Sequence, residues 1–591
     1  MLAHFFLIFL SYLLRLCVDL KVTELDKNKL NQYVVICDAK GQFISKYGDM
    51  QNYIPFNQIP KSIIDALLAT EDKLFWEHGG INLASMIRAG LLNLASFKVL
   101  KGGSTITQQL AKNLLLNNEA KLYKRKTERK VKEFLIALKL EANLTKAKIL
   151  EYYLNRIYFG RGAYGISAAA KIYLDKPVNE LNLKEISYLI GLVQAPTRYG
   201  NNHAKALERA NHVLNRLYKL DIIDEEELRK YKLLPVNVGL NSVRFYLGQY
   251  SDWILTQIPK WIRESNRSIK VYTTLDQELQ QKIVHYLPTL HKGSRFVFSE
   301  LAFICCDRDG AIRAMLGSFN NVTHGFNRVT QAFRPAGSIF KIYTYLTGFL
   351  NGLNTDELIS DTPPTIGDWS PSNYYHKEVG FVTVAQSFAQ SINASTVRIA
   401  MRYGVNKIIN TARLLGLTGS IPPDCSMILG SGCISLFELA ETLLIISSQG
   451  CQTIPYGITK ICDFQTSEVL WEHSEEYVPI RLINNETALD KMLYVFREVV
   501  ESPRGTGRIA KSTYPVGGKT GTSQDYRDVW FGCISPFMVA CCWCGHDDNR
   551  PMVKLDLPNL KNPSVALCKY ALDQAQKTYS SEEEEDEEES D

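Results

Sequence analysis

Ser338 and Lys341 lie three residues apart and are residue types that can do chemistry together. A serine hydroxyl is a poor nucleophile until a neighbouring group takes its proton, and a lysine whose pKa is lowered by burial can take it. The preceding Pro335-Ala-Gly337 predicts a turn that leads into a helix, where residues three apart share one face. The Ser-x-x-Lys pattern is nevertheless common by chance, so alone it is weak evidence for a nucleophile and its base.

Two polar segments follow this serine. Ser391-Ile-Asn393 lies 53 residues after Ser338, in a turn of small residues, and Lys519-Thr-Gly-Thr522 begins another 128 residues on. The glycine of the second segment lets a substrate backbone approach the edge of a strand. Its lysine and last threonine can bind a carboxylate there.

The front half carries a second set of titratable residues. Glu71 and Asp72 are adjacent carboxylates, and Glu133 lies within a basic stretch that has ten Lys or Arg against three acids between Lys121 and Lys148. Transfer of a sugar from a diphosphate to a hydroxyl needs a base for the hydroxyl and positive charge for the diphosphate. The same charges are typical of a solvated helix face, and the residues alone leave both interpretations open.

The order of these segments resembles two families. Peptidoglycan glycosyltransferases have motifs similar to Glu71-Asp-x-x-Phe-x-x-His, Gly102-Gly-Ser-Thr-x-Thr-Gln-Gln-x-x-Lys-Asn, Arg129-Lys-x-x-Glu133 and Ile149-Leu-Glu-x-Tyr-x-Asn155, over about residues 55–215. The back half resembles penicillin-binding transpeptidases over about residues 270–550, with Phe326-Asn-Arg-Val-Thr-Gln331 and Ser370-Pro-x-Asn373 as additional matches. The combination resembles the bifunctional (class A) penicillin-binding proteins.

For the front half, the resemblance implies that Glu71 is the general base on the acceptor hydroxyl. It implies that Glu133 acts at the donor diphosphate, directly or through a divalent cation, with no other cofactor. Lysine suits phosphate as a point charge and arginine as a bidentate donor. The implied substrate-binding residues of this half are Asp72, Phe75, His78, Thr105, Gln109, Lys112, Arg129 and Lys130.

For the back half, the resemblance implies that Ser338 attacks a stem peptide ending in D-Ala-D-Ala and forms an acyl-enzyme, which the amine of a second stem peptide resolves. The oxyanion would be bound by the backbone N–H groups of Ser338 and Thr522. β-Lactams would acylate the same serine as inhibitors. The implied catalytic residues are Ser338, Lys341, Ser391, Asn393 and Lys519, and the implied substrate-binding residues are Thr520, Gly521 and Thr522.

The chain departs from the glycosyltransferase pattern at two places. Asn82 stands where the first motif usually ends in Asp, and Ala147-Lys148 replaces an acidic pair before Ile149. Neither change removes a predicted catalytic group. Between the first two motifs, Leu83 to Leu100 is mainly apolar, which fits core packing, whereas the resemblance implies a surface that dips into the membrane where the lipid substrate lies.

Charge is distributed unevenly along the 591 residues. The net charge is +5, but Glu582 to Asp591 carry nine acids, so the remainder of the chain is at about +14. A basic body suits anionic lipid surfaces and phosphate-bearing substrates. Nucleic acid is the rival partner, but no zinc-finger, homeodomain or RNA-recognition motif accompanies the charge, and we predict no nucleic-acid binding.

The first residues, Leu2 to Val18, are mostly apolar. The stretch is shorter than the roughly 20 residues that span a bilayer. A signal peptide and a buried soluble helix are the competing interpretations, although neither a basic leading region nor a small-residue cleavage site is present. The resemblance implies a single-pass signal-anchor in the bacterial inner (cytoplasmic) membrane, with the catalytic domains on the periplasmic side.

Thirteen cysteines are many for an exported chain, and the tightest group is Cys541-Cys-Trp-Cys544-Gly-His546. The group lies in an apolar β-type run, where alternate residues face opposite sides of a sheet. We therefore predict small buried core residues rather than a metal site, and no particular disulfide.

The predicted architecture is multidomain: a membrane anchor, a mainly α, lysozyme-like glycosyltransferase domain, and an α/β, β-lactamase-like transpeptidase domain with an antiparallel sheet flanked by helices. Within the last, Leu301–Cys306, a turn at Asp309-Gly310 and Ala311–Leu316 predict a hairpin. The predicted parts are residues 1–20 as anchor, 45–220 as glycosyltransferase, 221–268 as linker, 269–560 as transpeptidase and 561–591 as an extension with a disordered acidic tail.

The function expected from the whole sequence is polymerisation of lipid II into glycan strands and cross-linking of their stem peptides. The alternatives that share the back-half motifs are a D,D-carboxypeptidase, a serine β-lactamase and a β-lactam-binding scaffold. The expected partners are lipid II, nascent glycan strands, stem peptides, β-lactams, the membrane and accessory proteins of cell-wall synthesis.

Overall fold

The computed structural model describes most of the chain, and it divides the chain into two compact units. The described residues are 33–47, 53–82, 104–119, 126–160, 163–200, 202–238, 242–265, 267–319, 326–367, 369–373, 378–473 and 480–590. The predicted anchor, residues 1–20, and the apolar stretch from Leu83 to Leu100 lie outside them. Within the described ranges, none of the helices is both long and apolar enough to cross a bilayer.

The first unit comprises Met1–Val35, Lys46–Asn241 and Arg263–Ile269. It is mainly helical, as predicted. Its helices are α1 (Lys61–Glu71), α2 (Ile106–Glu119), α3 (Lys126–Asn143), α4 (Lys146–Arg156), α5 (Ile166–Leu174), α6 (Leu183–Leu192), α7 (Pro196–Gly200), α8 (His203–Tyr218) and α9 (Glu225–Leu233).

Amphipathic helices pack around one apolar core in this unit. Helix α8 packs against α1 and α6, and α2 packs against α3 and α4. Apolar residues recur at three- and four-residue spacing in α3 and α4, and their core-facing positions, such as Leu140 and Ile149, are fully buried. Glu71, the predicted base, is the last residue of α1. Because α1 packs into this core, the core fixes the position of Glu71.

The residues predicted as the linker, 221–268, contain helices. Helix α9 is followed by α10 (Ser242–Gln257) and α11 (Lys260–Glu264). The charges of α9 are placed to stabilise it, because Asp224 and Glu227 form a capping box at its start and lysines lie in its last turn.

The second unit comprises Ile36–Ser45, Ser242–Ile262 and Lys270–Asp591 and is built around an antiparallel sheet, as predicted. The strand order is β13-β14-β15-β5-β6. The strands are β5 (Glu300–Asp307), β6 (Ile312–Leu316), β13 (Gly517–Thr522), β14 (Asp528–Ile534) and β15 (Met538–Gly545). The predicted hairpin is confirmed, because β5 pairs with β6 and Gly310 adopts a φ of 91° in the turn.

Helices cover both faces of this sheet. Helix α19 (Pro563–Ser590) packs on β14 and β15 and against α12 (Gln277–Lys292), whereas α17 (Leu436–Ser447) packs on β5, β14 and β15. The remaining helices of the unit are α13 (Lys341–Leu350), α14 (Val384–Ala389), α15 (Asn393–Tyr403), α16 (Val405–Leu414) and α18 (Glu486–Glu501). An α/β unit with an antiparallel sheet flanked by helices therefore follows the helical unit, as the sequence predicted.

Smaller sheets complete the strand inventory. One has the order β12-β11-β3-β1-β2 and the others are the pairs β10-β7, β16-β4 and β8-β9. Their strands are β1 (Val34–Cys37), β2 (Phe43–Tyr47), β3 (Ile269–Thr273), β4 (Phe296–Val297), β7 (Arg334–Pro335), β8 (Leu358–Ser360), β9 (Phe381–Thr383), β10 (Cys433–Ile434), β11 (Ile458–Asp463), β12 (Val469–Glu472) and β16 (Val553–Lys554).

The C-terminal helix α19 continues to Ser590. Its first half packs on the main sheet. The disordered acidic tail predicted for the end of the chain stays a prediction.

The cysteines of β15 are core residues, as predicted. Cys541, Cys542 and Cys544 are fully buried, and they are free thiols.

Candidate active sites

Glu71 is held at the end of α1 by Gln109 of α2. Gln109 Nε2 donates to Glu71 Oε2 at 2.9 Å, and the hydroxyl of Tyr153 in α4 donates to Gln109 Oε1 at 2.8 Å. Burial raises the pKa of Tyr153 well above its usual value, as do the Glu71 and Asp72 carboxylates nearby. The phenol therefore remains a hydrogen-bond donor, and the chain of three side chains fixes the orientation of the carboxylate.

Asp72 points away from its neighbour and anchors the start of α2. Its Oδ2 accepts from the backbone N–H of Ile106 at 3.0 Å and from His78 Nε2 at 2.9 Å. Gly80 N–H donates to His78 Nδ1, so the neutral ring carries its proton on Nε2. A carboxylate at a helix N-terminus is favoured by the helix dipole, and this contact joins the loop after Glu71 to α2.

The other predicted residues of the front half differ in their burial and in their partners. Lys130 Nζ reaches the buried Glu133 at 2.8 Å and Ser104 at 3.1 Å. The Thr105 hydroxyl is buried and donates to the Gly80 carbonyl at 2.6 Å, so it supports the loop. Phe75 is buried and contacts the His78 ring, Lys112 is exposed, and the side chain of Arg129 lies outside the described residues.

Three residues near this site were not predicted from the sequence as site residues. Tyr153 was part of a quoted motif but was given no role. Lys146 donates to the His78 carbonyl at 2.5 Å and to Glu141 at 2.9 Å, and lies over the Phe75 ring. Arg209 of α8 has a buried Nε that makes no hydrogen bond within the described part of the chain, and the carboxylate of Glu71 opposes the lowering of its pKa by burial. A lone arginine in an amphipathic helix gives no sequence signal for such a position.

In the back half, Ser338 starts the helical segment that carries Lys341. A 3₁₀ helix, Gly337–Phe340, leads directly into α13, which begins at Lys341. The predicted turn into a helix is therefore confirmed. The serine is partly accessible, whereas the lysine is completely buried.

Lys341 lies at the centre of a hydrogen-bonded cluster that joins two of the predicted segments. Its Nζ lies 2.6 Å from the Ser391 carbonyl, 3.2 Å from Ser391 Oγ and 2.7 Å from Asn393 Oδ1. A neutral amine donates two hydrogens, so the carbonyl and the amide oxygen accept both and the lone pair is left for a hydroxyl proton. Within the described residues, Lys341 Nζ makes no hydrogen bond to Ser338 Oγ.

The electrostatics of the cluster favour this neutral amine. Burial lowers the pKa of Lys341 well below its usual value, and the positive charge of Lys519 lowers it further. Lys519 is also fully buried, and loss of solvation lowers its pKa to about 7. Two ammonium groups in one dry site repel each other, so a proton on one disfavours a proton on the other.

The Ser391 turn is strained and is held by a loop. Ser391 adopts a φ of 59°, which is uncommon for a residue with a side chain. Asn393 Nδ2 donates to the Ser372 carbonyl at 2.8 Å, and Asn373 Oδ1 accepts from the Ala394 N–H at 3.0 Å. The loop therefore fixes the start of α15, and with it the amide oxygen that contacts Lys341.

The Lys519–Thr522 segment lies in strand β13 (Gly517–Thr522), at the edge of the main sheet. The Thr520 hydroxyl bonds to Thr506 Oγ1 at 2.7 Å, so it is engaged within the protein. Lys519 Nζ lies 5.3 Å from the centre of the Phe388 ring. Thr522 is exposed at the end of the strand, where a substrate can reach its backbone and hydroxyl.

Gly337 allows the segment before Ser338 to touch β13. It adopts a φ of 52°, and a Cβ placed on it would lie 2.5 Å from the Thr522 carbonyl oxygen. We therefore expect Gly337→Ala to displace the backbone next to Ser338 and to slow penicillin acylation roughly tenfold, since small misplacements at a reacting centre are costly.

The matched control is Gly352→Ala, because Gly352 also has a positive φ but its added Cβ would meet nothing within 4 Å. Both variants place an alanine at a positive φ, but only in Gly337→Ala does the added Cβ clash with a neighbouring backbone. Labelling rates with a fluorescent penicillin, measured on folded protein, distinguish the two. Equal rates in the two variants would contradict the close-approach argument.

Comparison with protein families gives two matches. Residues 40–218 match the transglycosylase family, and residues 301–529 match the penicillin-binding protein transpeptidase domain. The first match contains Glu71 and Glu133. The second contains Ser338, Lys341 and the Lys519–Thr522 strand.

Similar curated proteins carry both parts. Penicillin-binding protein 1A of Aquifex aeolicus is 31% identical, over 88% of this chain and 83% of its own length. Penicillin-binding protein 1B of Buchnera aphidicola subsp. Baizongia pistaciae is 32% identical, over 89% and 74%. The crystal structure of penicillin-binding protein 1A from Haemophilus influenzae covers 93% of this chain and 92% of its own, with a TM-score of 0.53 at 19% identity, and shows a similar fold.

Proposed function

The chain belongs to the bifunctional class A penicillin-binding proteins, and we propose which of its residues carry out the two reactions. It is a cell-wall synthase with peptidoglycan glycosyltransferase and D,D-transpeptidase activities. Its substrates are lipid II, glycan strands and stem peptides, and it binds β-lactams.

In glycan polymerisation, Glu71 accepts the proton of the acceptor hydroxyl as that oxygen attacks the donor sugar. Support comes from Gln109 and Tyr153, which hold the carboxylate in one orientation through bonds of 2.9 and 2.8 Å. Glu133 and Lys130, which are joined by a hydrogen bond of 2.8 Å, act at the departing diphosphate, and the ammonium group offsets its developing negative charge.

A divalent cation at this diphosphate remains a prediction. In the ranges that the structure describes, Glu133 is paired with Lys130, and no group of three metal-ligating side chains occurs. Lys130 supplies positive charge at the diphosphate in the proposed reaction.

In cross-linking, Ser338 Oγ attacks the carbonyl carbon of the penultimate D-alanine while Lys341 Nζ takes the hydroxyl proton. The oxyanion is bound by the N–H groups of Ser338 and Thr522. The terminal D-alanine leaves as its nitrogen gains a proton, and the amine of a second stem peptide then displaces Ser338 from the acyl-enzyme. Lys519 and Thr522 bind the donor carboxylate, with the Lys519 ammonium stabilised by that charge.

The observation that carries the cross-linking proposal is the fully buried Lys341 amine, held by the Ser391 turn and by Asn393 at 2.6 and 2.7 Å. The test is turnover of lipid II with and without penicillin. We expect glycan polymer in both cases, cross-links only without the drug, and a covalent penicillin adduct on Ser338. Polymer that lacks cross-links in both cases, with no adduct, would contradict the proposal.

We further propose attachment to the bacterial inner membrane through residues 1–20, with both catalytic units on the periplasmic side. The apolar stretch from Leu2 to Val18, the basic chain and the lipid-linked substrate support this placement. Accessory proteins of cell-wall synthesis are expected partners of such an enzyme. A carboxypeptidase or β-lactam-binding scaffold is not favoured, because either would leave the transglycosylase domain without a purpose.

A further inference from the structure

Asp528 is a fully buried carboxylate that none of the predicted roles includes. It is the first residue of β14 and lies where β13 ends and β14 begins. A buried carboxylate is costly unless it is paired and hydrogen-bonded, so its partners indicate what it holds together.

One oxygen of Asp528 binds the segment that leads to the nucleophile. Arg334 Nε donates to Oδ1 at 2.8 Å, and Trp543 Nε1 donates to the same oxygen at 3.0 Å. Arg334 lies four residues before Ser338, and its Nη2 also donates to the His546 carbonyl at 3.0 Å. The guanidinium is therefore fixed from several directions and cannot rotate away without losing these bonds.

The other oxygen binds the end of β13. Ser523 Oγ donates to Asp528 Oδ2 at 2.7 Å and accepts from the Asp528 N–H at 2.9 Å, while Ser523 N–H donates to the Asp528 carbonyl at 3.0 Å. Ser523 directly follows Thr522. The carboxylate therefore spans two segments, each of which carries one of the backbone N–H groups assigned to the oxyanion.

The two segments touch between these anchors. Trp530 Nε1 donates to the Pro335 carbonyl at 3.0 Å. A Cβ on Gly337 would lie 2.5 Å from the Thr522 carbonyl oxygen, and one on Gly521 would lie 2.9 Å from the Ala336 carbonyl oxygen. At such close approach, a small shift of either backbone changes the separation of the Ser338 and Thr522 N–H groups.

We propose that Asp528 is a positioning residue for the transpeptidase oxyanion hole: by binding Arg334 and Ser523 at once, it sets the distance between the backbone N–H groups of Ser338 and Thr522. It touches neither substrate nor nucleophile. This proposal rests on the proposed function, since it assumes that these two N–H groups bind the oxyanion during acylation of Ser338.

The test compares a D-alanyl thiolester donor with the dithioester in which only the carbonyl oxygen is replaced by sulfur. A hole set for oxygen stabilises the first much better than the second, so the ratio of their acylation rates reports on the N–H geometry. We expect Asp528→Asn, which keeps the shape and removes the charge, to lower thiolester acylation roughly 10- to 100-fold and to reduce the oxygen-to-sulfur ratio.

The matched control is Asp307→Asn. Asp307 lies at the end of β5 in the same unit and accepts a hydrogen bond from Arg313 at 2.7 Å. Its replacement therefore removes an ion pair of the same kind away from Ser338. This variant is expected to keep the wild-type ratio. An unchanged ratio in Asp528→Asn, or an equal change in Asp307→Asn, would overturn the proposal.

Ser523→Ala provides a second route if Asp528→Asn does not fold. It removes both bonds of the Ser523 hydroxyl, the one it donates to the carboxylate and the one it accepts from the Asp528 N–H, and leaves the Arg334 pair intact. We therefore expect a smaller fall of the ratio in the same direction. A ratio unchanged in folded Ser523→Ala would then overturn the proposal. Failure of the wild-type protein to form an acyl adduct on Ser338 is a separate result, which would overturn the proposed function.

Discussion

Glu71→Gln is expected to abolish glycan polymerisation while leaving penicillin acylation of Ser338 intact. The amide keeps the size of the side chain and can still accept the hydrogen bond from Gln109, which is 2.9 Å long in the wild type. It cannot accept a proton. Loss of general-base catalysis alone lowers a rate by roughly 10²–10⁴-fold, and in a polymerising enzyme that loss recurs at every added sugar unit.

The measurement is polymer yield from lipid II, with fluorescent penicillin labelling of the same sample as the test of folding. Glu77→Gln is the matched control, because Glu77 is an exposed carboxylate in the loop that follows Glu71 and its loss removes the same charge. Polymerisation by Glu71→Gln at the rate of the control would remove Glu71 as the base and leave its hydrogen-bonded position as a structural feature.

The turns, helix starts and hairpins near the sites could be predicted from the sequence, because neighbouring residues determine them. The turn before Ser338, the helix that begins at Lys341 and the Leu301–Leu316 hairpin each follow from a few neighbouring residues. The three-residue spacing of Ser338 and Lys341 was also sufficient to predict that they lie in one helical segment.

The partners that hold these residues in place could not be predicted in the same way. Arg334 and Asp528 are 194 residues apart, and Gln109 and Tyr153 are 44 apart, so their contacts depend on how whole elements pack. In the sequence alone, nothing in the spacing of either pair indicates that its two residues are in contact. The positive φ of Ser391 is likewise imposed by the surrounding loop, since nothing in Gln390-Ser-Ile-Asn requires it.

The helices within the predicted linker, residues 221–268, could not be placed from composition. Acids in the first turn and lysines in the last turn stabilise α9, so the position of the charges carries information that their number does not.

Lys341→Ala is expected to leave the transpeptidase unit folded and to slow penicillin acylation by roughly 10²–10⁴-fold, the usual contribution of a general base. The alanine also leaves a cavity, so Lys341→Met is the better-packed variant, with similar volume and no amine. Both variants leave the Ser391 carbonyl and Asn393 Oδ1 without their donor. Lys341→Arg is not expected to rescue the rate, because a guanidinium stays protonated in proteins and cannot accept the serine proton.

The pH profile separates a base from a structural lysine. Burial and the charge of Lys519 lower the pKa of Lys341, so the neutral amine is present at pH values where a surface lysine is still charged. The acylation rate should therefore rise with pH through this lowered pKa in the wild type, and the rising limb should be absent in Lys341→Met. Lys407→Ala, which removes an exposed lysine of the same unit, is expected to keep both the rate and the limb. The rate is measured as the second-order constant for labelling by fluorescent penicillin, with a thermal melt of each variant, and a Lys341→Arg protein that labels at the wild-type rate would remove Lys341 as the base for Ser338.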